Sequence, residues 1–415
     1  MGETSQIVSL WRRAQARDEA VCLATVVHVE GSSYRKPGAR MLITAGGERA
    51  GSISGGCLEG EISRKAWWLT ADGPAVQRYQ SSFDEDSGGI PWGLGCGGTV
   101  WVLLERNPET VLSALAAAQE QGQASVVLTR LYPRSGTVRV ISEATHPKIE
   151  EQEIQAREIE EHEIQAQQMQ DTPCACAAEQ AAAHALAERR TLALYGPIEE
   201  ADAAIRDDGL PQWFVEYLAP PPRLHIFGAG DDAQPIARFA EELGWRVRVA
   251  DGRANLLRPE RFPAGTTLDL LRYQAEASDE AAAIACGVGS DNSAEAGIPS
   301  VATGVAPGEF VVLLTHSWDQ DRALARALLP AKPGYLGILG PRHRTQRLLE
   351  QVAPHLGWPI EACWAALHAP VGLDLGARDP AAIALSIVAE LQATLTARSV
   401  TVRRAQGQPT PVPHG

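Results

Sequence analysis

Positive charge is scarce in this chain. It has 37 lysines and arginines against 51 aspartates and glutamates, which leaves a formal net charge of −14 and a pI near 5.3. Binding to nucleic acid or to an anionic membrane needs a basic face that replaces counterions, so this balance argues against both. Long apolar runs are missing as well. No stretch approaches the roughly 20 residues of a membrane-spanning helix. The opening MGETSQIVSLWRRAQ has no apolar centre and no small-residue cleavage site, so no signal peptide is expected. Cysteine is sparse: seven in 415 residues, an odd number without a framework. That fits a reducing cytoplasm better than a disulfide scaffold. What is present is 45% hydrophobic and 21% charged residues, enough for sizeable cores in two or three domains.

The first part of the chain reads as α+β. Residues 5–20 predict a short amphipathic helix through Ile7, Val8, Leu10 and Trp11. VCLATVVHVEG (21–31) predicts a strand that ends at a glycine, and residues 39–53 a strand, a Gly-Gly turn and the start of another strand. LEGEISRKAWWLT (58–70) places Leu58, Ile62, Ala66 and Leu69 on one side of a helix. A strand at 97–105, a helix at 113–123 and a hairpin at 124–132 and 137–142 follow.

Composition then changes. IEEQEIQAR (149–157) returns as IEEHEIQAQ (159–167), with large apolar residues five apart. Five helical residues turn each apolar side chain about 140° from the last, so no apolar face forms. Residues 146–190 therefore read as a low-complexity acidic insert, with Cys174, Cys176 and His184 too few for a metal site. The expected organisation is an N-terminal domain at 1–145, that insert, a return segment and linker at 191–218, a second domain at 219–400 and a flexible tail at 401–415.

After APPPR (219–223) the rhythm becomes strand, helix, strand, helix, with further short strands at 282–287, 309–316 and 334–340. Such alternation predicts a doubly wound parallel sheet. Gly228-Ala229-Gly230-Asp231-Asp232-Ala233 fits G-x-G-x-x-A between a strand and a helix, and Asp251 ends the next strand. Gly228 permits the tight turn, Gly230 the approach of a phosphate, and Asp251 is placed for ribose hydroxyls. Asp231 and Asp232 oppose a pyrophosphate there and support the alternative of an empty scaffold, but the strand, glycine turn and Asp251 together favour a nucleotide-type ligand. Thr315 and His316 follow a strand, where open α/β sheets bind ligands. His316 reads equally as a helix cap. Arg342 and Arg344 begin a helix, where cations oppose the dipole unless an anion is bound. Asp379 and Pro380 read as N-cap and first residue of the last apolar helix, with Asp374 on the loop before it.

GSISGGCLEG (51–60) puts Cys57 just before a predicted helix. A thiol at a helix N-terminus has its thiolate stabilised by unpaired N–H groups, which lowers its pKa. GLGCGG (93–98) repeats the theme with Cys96. Two glycine-flanked cysteines read as thiol ligands or sulfur handlers, or as small cysteines carried by glycine turns. Cys22 and Cys286 read as core, and Cys363 stays open. The loop EGSSYRKPGAR (30–40), with Arg35, Lys36 and Arg40, reads as an anion cradle or an exposed basic turn.

Taken in order, VVHVEGSSYRKPGARMLI, GSISGGCLEGEI, GLGCGGTVWVLLE, LHIFGAGDDAQPIARFAEELGWRVRVADGR, FVVLLTHSWDQD, YLGILGPRHRTQRLLE and PVGLDLGARDPAAIALSIVAEL resemble the xanthine dehydrogenase accessory factors, XdhC/CoxI. The resemblance covers most of the chain outside 144–190. It implies an N-terminal XdhC/CoxI-type α/β domain, a Rossmann-like domain and a cytoplasmic, self-associating protein, a homodimer. It also implies a maturation factor rather than a catalyst. Such a factor binds molybdenum cofactor, as molybdopterin or its cytosine dinucleotide form, and supports its sulfuration with a cysteine desulfurase. It then passes the cofactor to a molybdenum hydroxylase apoenzyme.

On that resemblance Cys57 meets the molybdenum or carries sulfur, and Cys96 is its partner. Ser52, Ser54, Gly55 and Gly56 supply donors and room, Arg35 and Arg40 hold an anion, and the Rossmann half takes the phosphate or nucleotide end. The competing readings are an NAD(P)-dependent oxidoreductase and a nucleotide-sensing interaction protein. The first leaves the glycine-cysteine loops without a role and lacks a Tyr-x-x-x-Lys pair.

Overall fold

Ile7, Val8, Leu10, Trp11 and Ala14 recur at helical spacing and form the buried stripe of the first helix, α1 (Glu3–Ala16). The computed structural model describes residues 2–80, 90–91, 98–132, 135–142, 174–195, 209–274, 283–286, 304–398, 401–403 and 409–411. The acidic repeat at 149–167 and Cys96 lie outside them, and so do the side chains of Cys174, Cys176 and Cys286. Two compact units emerge: Glu3–Pro221, and Pro222–Gly415 with Met1–Gly2. Among the described residues no helix is long and apolar enough to cross a membrane.

The first unit begins with β1 (Val21–Glu30), β2 (Arg40–Thr44), β3 (Arg49–Gly51), α2 (Glu59–Leu69), β4 (Ala75–Gln80), β5 (Ile90–Pro91) and β6 (Thr99–Arg106). Its six strands lie in the order β3-β2-β1-β6-β4-β5, antiparallel except for the pair β4 and β5. β1 is buried on both faces, which explains its near-continuous apolar run. Cys22, Ala24 and Val26 share a core with Ile62 and Ala66 of α2. Val21 and Leu23 share another with α1 and with Leu112 and Leu115 of α3 (Glu109–Gln121).

A second antiparallel sheet has the order β8-β7-β10-β9, from β7 (Ser125–Arg130), β8 (Gly136–Ser142), β9 (Leu192–Leu194) and β10 (Trp213–Leu218). Helix α4 (Cys174–Ala187) packs on it through Ala178, Ala182 and Ala185. This corrects the insert drawn at 146–190, whose last part is core. The apolar face is made of alanines, and a search for large apolar residues passes over it.

The second unit holds β11 (Arg223–Phe227), α5 (Ala233–Glu242), β12 (Arg246–Asp251), β13 (Thr267–Gln274), β14 (Ala283–Cys286), β15 (Phe310–Leu313), α6 (Trp318–Ala331), β16 (Tyr335–Ile338), α7 (Arg342–Leu356), α8 (Ile360–Ala365) and α9 (Pro380–Leu395). The sheet order β14-β13-β12-β11-β15-β16 is Rossmann-like, with α5 and α9 in the core of one face and α6 and α7 in the other. All pairs are parallel except β13 and β14, so the strand expected at 282–287 is an antiparallel edge. The Asp379 side chain accepts the N–H of Ala381 and Ala382, which caps α9 ahead of Pro380. The tail expected to be flexible contains an antiparallel pair, β17 (Thr401–Arg403) with β18 (Pro409–Pro411).

Candidate functional site

The loop that carries Cys57 is organised by two neighbours. Gly51 leaves β3 at φ +81°, where a Cβ would strike the Arg40 carbonyl oxygen. Ser54 then turns its hydroxyl back on the chain. It accepts the N–H of Gly56, Cys57 and Leu58 at 3.2, 3.1 and 3.1 Å and donates to Glu59. Glu59, the first residue of α2, also accepts the Ser52 hydroxyl at 2.7 Å and the N–H of Ile53 and Ser54 at 3.2 and 2.9 Å. Burial would raise the Glu59 carboxyl, but hydrogen bonds from Ser54 and Ser52 outweigh it and hold the group at about 2.

These contacts reassign two expectations. The N–H groups from Gly56 to Leu58 are taken by Ser54, so they are not free for a thiolate. The hydroxyls of Ser52 and Ser54 point into the lock instead of offering donors to a ligand. Glu59 was missed as a functional residue, although an acidic side chain opening a helix after two glycines was there to be read.

The lock has a pH signature. A depressed carboxyl contributes stability that is complete above its ordinary value of 4.5 and is lost as pH falls toward about 2. Urea midpoints of the wild type and Glu59→Gln should therefore differ most at neutral pH and converge between about 4.5 and 2. A gap that stays constant through that window would remove the carboxylate from the argument.

Cys57 itself is exposed, whereas Cys22 and Cys363 are buried. Burial pushes the Cys22 thiol up to about 12 and raises Cys363 as well, so Cys363 joins Cys22 as core. Beside Cys57 lies a cleft of about 140 Å³ with walls from Tyr34, Ile53, Leu58, Val100 and Tyr79. A Cβ on Gly55 would lie 3.9 Å from the Tyr34 ring, and Gly56, at φ +108°, has open space where a side chain would be. Tyr34 is 73% exposed and forms an aromatic edge of the cleft.

The basic loop divides. Arg35 pairs with Glu3 at the surface, and Lys36 is exposed. Arg40 is 7% exposed and bound through both Nη atoms to the Glu216 carboxylate, with a further bond from Nη1 to the Gly38 carbonyl at 3.1 Å. Its place in an anion cradle is corrected: it is half of an internal ion pair.

In the Rossmann unit the strand order reverses between β11 and β15, and the expected residues meet there. Gly228, at φ +120°, passes against the Leu314 carbonyl, where a Cβ would collide. A Cβ on Gly230 would lie 3.9 Å from the His316 ring. His316, at φ +57°, sets Nε2 3.5 Å from the Asp232 carboxylate. Ser317, and not His316, is the residue at the N-cap of α6.

Asp251 is 1% exposed and already fully occupied. Its oxygens accept the Ala229 N–H at 2.7 Å, the Arg253 N–H at 2.8 Å, and Arg253 Nε and Nη2 at 3.0 and 2.9 Å. That fills the acceptor sites of a carboxylate, so Asp251 braces the glycine turn and ribose hydroxyls would have to displace Arg253. Burial opposes the charge, but the Arg253 and Ala229 bonds hold the carboxyl below its ordinary range.

Arg261 braces the same turn from outside, reaching the Ala229 carbonyl at 2.9 Å and Asp231 at 2.9 Å. Neither arginine was marked by spacing. Thr315 is buried, and its hydroxyl is engaged by Asp321 at 2.6 Å and by the Ser317 N–H at 3.0 Å. It is a positioning residue, not a ligand-facing one. Arg344 closes that group on Asp321 at 2.7 Å, and Arg342 lies over the Trp364 ring at 4.7 Å.

A Rossmann-like sheet with a braced glycine turn, joined to an α/β unit that exposes a thiol on a glycine loop, defines a two-unit α/β protein. The family models for the XdhC Rossmann domain and for the XdhC and CoxI family match residues 224–391 and 14–80, and the chain belongs to the XdhC and CoxI family. It is 27% identical over 381 residues to a probable xanthine dehydrogenase subunit of Bacillus subtilis (strain 168), covering 90% of this chain and 93% of that protein. It is 25% identical over 378 residues to the molybdenum cofactor insertion chaperone PaoD of Escherichia coli (strain K12), covering 89% and 81%. A solved structure of a xanthine dehydrogenase from Bacillus halodurans superposes with a TM-score of 0.62 at 26% identity, covering 94% of this chain and 96% of that one.

Proposed function

We propose that this protein is a molybdenum cofactor-binding chaperone that supports sulfuration and insertion of the cofactor into a xanthine or aldehyde dehydrogenase-type molybdenum hydroxylase. The observation that carries the reading is the exposed Cys57 thiol, held by the Ser54–Glu59 lock at the mouth of a cleft. The names of the relatives in Bacillus subtilis and Escherichia coli point the same way.

The residues fit such a cargo. Its molybdenum centre is one for which a thiolate is a soft ligand. Cys57 serves as that ligand or handles sulfur, Gly55 and Gly56 leave room for a bulky ring system, and Tyr34 offers an aromatic wall. The cleft wall also includes Tyr79, whose buried hydroxyl has no partner among the described residues. The glycine turn at 228–230 offers a helix start to a phosphate or nucleotide group. A cysteine desulfurase, the apo-hydroxylase and a second copy of the chain are the partners this role needs. An NAD(P)-dependent oxidoreductase is less well supported, because Asp251 is occupied by Arg253 and Ala229.

The test is to purify the full chain anaerobically from cells that make molybdenum cofactor, denature it, oxidise the extract and read pterin fluorescence. Near-stoichiometric pterin is expected. Its absence, together with NADH or NADPH turnover on a small carbonyl substrate, would overturn the proposal.

A further inference from the structure

Tyr79 is a core residue with an unmet bond. It lies on β4, and its side chain is 2% exposed within the core beneath α2. Its hydroxyl is buried and has no hydrogen-bond partner among the described residues. Glu61, whose charge acts on it, is tied to Lys65 at 2.7 Å. A buried hydroxyl left unpaired is unfavourable, and phenylalanine would fill the same space without that cost. The residue nonetheless forms part of the cleft wall that Cys57 shares.

We propose that Tyr79 is the buried donor of this site: its O–H is held for an acceptor atom on the group that meets Cys57. The inference rests on the cofactor-binding reading and adds the residue that orients the cargo. Burial and the Glu61 charge push the phenol up to about 12, so it keeps its proton and donates. Ile53, Leu58 and Val100 make the surrounding wall apolar, and a donor in such a wall gains most from an oxygen or sulfur that carries negative charge. Cys57 and Tyr79 then grip one group from two sides, the thiol by its softness and the phenol by direction.

The experiment compares full-length wild type with Tyr79→Phe, both purified anaerobically from cells that make molybdenum cofactor. The release of molybdopterin after dilution is followed as oxidised pterin. Release is expected to be about tenfold faster from the variant, the effect of one hydrogen bond to a charged acceptor. Alkylation of Cys57 by iodoacetamide provides a second reading. The variant should react faster than the wild type when both are loaded, and at the same rate when both are empty. The thermal midpoint of the empty protein should be unchanged or raised, since the orphaned group is gone.

Equal release rates would mean that water in the cleft satisfies the hydroxyl, and would overturn the inference while leaving the cofactor reading intact. A clearly lowered midpoint of the empty variant would show an internal partner and overturn it too. No pterin on the wild type would overturn both.

Discussion

Cys57→Ala, purified anaerobically beside the wild type from cells that make molybdenum cofactor, is expected to carry pterin at no more than about a tenth of the wild-type level, a loss of at least 1.4 kcal/mol of retention. Cys57 is the exposed thiol among the free cysteines Cys22, Cys57 and Cys363, and removing it leaves the cleft with hydroxyls and apolar walls. None of these is a soft ligand or a nucleophile of comparable strength. Folding should be untouched, because the backbone of the loop is held by Ser54 and Glu59 and not by the thiol. Cys57→Ser separates shape from softness and should resemble the alanine variant. Wild-type pterin levels on both variants would move the decisive contact away from this loop.

Glu216→Ala is expected to cost about 3–5 kcal/mol of stability, because it leaves the Arg40 guanidinium buried and unpaired. Arg40 and Glu216 are 7% and 5% exposed, and Arg40 Nε already lacks a partner among the described residues. Without the carboxylate the cation keeps, among the described residues, the Gly38 carbonyl at 3.1 Å and the charge of buried Glu105. Urea denaturation at neutral pH measures the loss, and a change below about 1 kcal/mol would place the pair in the class of weak surface bridges. Replacing both members, as Arg40→Met with Glu216→Leu, should recover most of the stability, since an apolar pair of similar volume avoids the desolvation penalty. The same double variant decides what Arg40 does. Normal pterin retention is expected if its role is structural, and a large drop would restore it to the anion cradle.

Residues 51–60 show how much of the site was legible. The turn at Gly56 and the exposed loop position of Cys57 could be read directly, because a positive φ and an accessible thiol at a loop end are matters of local chain geometry. The start of α2 after them was legible for the same reason. Ser54 was marked as a donor to a ligand, and it became the acceptor for three N–H groups of its own loop. Tyr79 had no local mark: AVQRYQ contains no turn residue and no motif. Its importance comes from where β4 lies, beside β6 and under α2. In the Rossmann unit, Gly228 and Gly230 were legible from the strand–turn–helix rhythm, while the bracing by Arg253 and Arg261 was not. Arg261 reaches the turn from a segment far along the chain.

Alone, the sequence determined the order of most elements, the glycine turns, the cap of α9 and the thiol loop, because backbone preference and apolar periodicity act over a few neighbouring residues. Tertiary structure decided what each charged or polar side chain does. Arg40 faces Glu216, 176 residues away, and Asp251 closes on Arg253 and the Ala229 N–H. The energy of a charge or a buried hydroxyl depends on what lies within a few ångströms, and folding alone determines that neighbourhood.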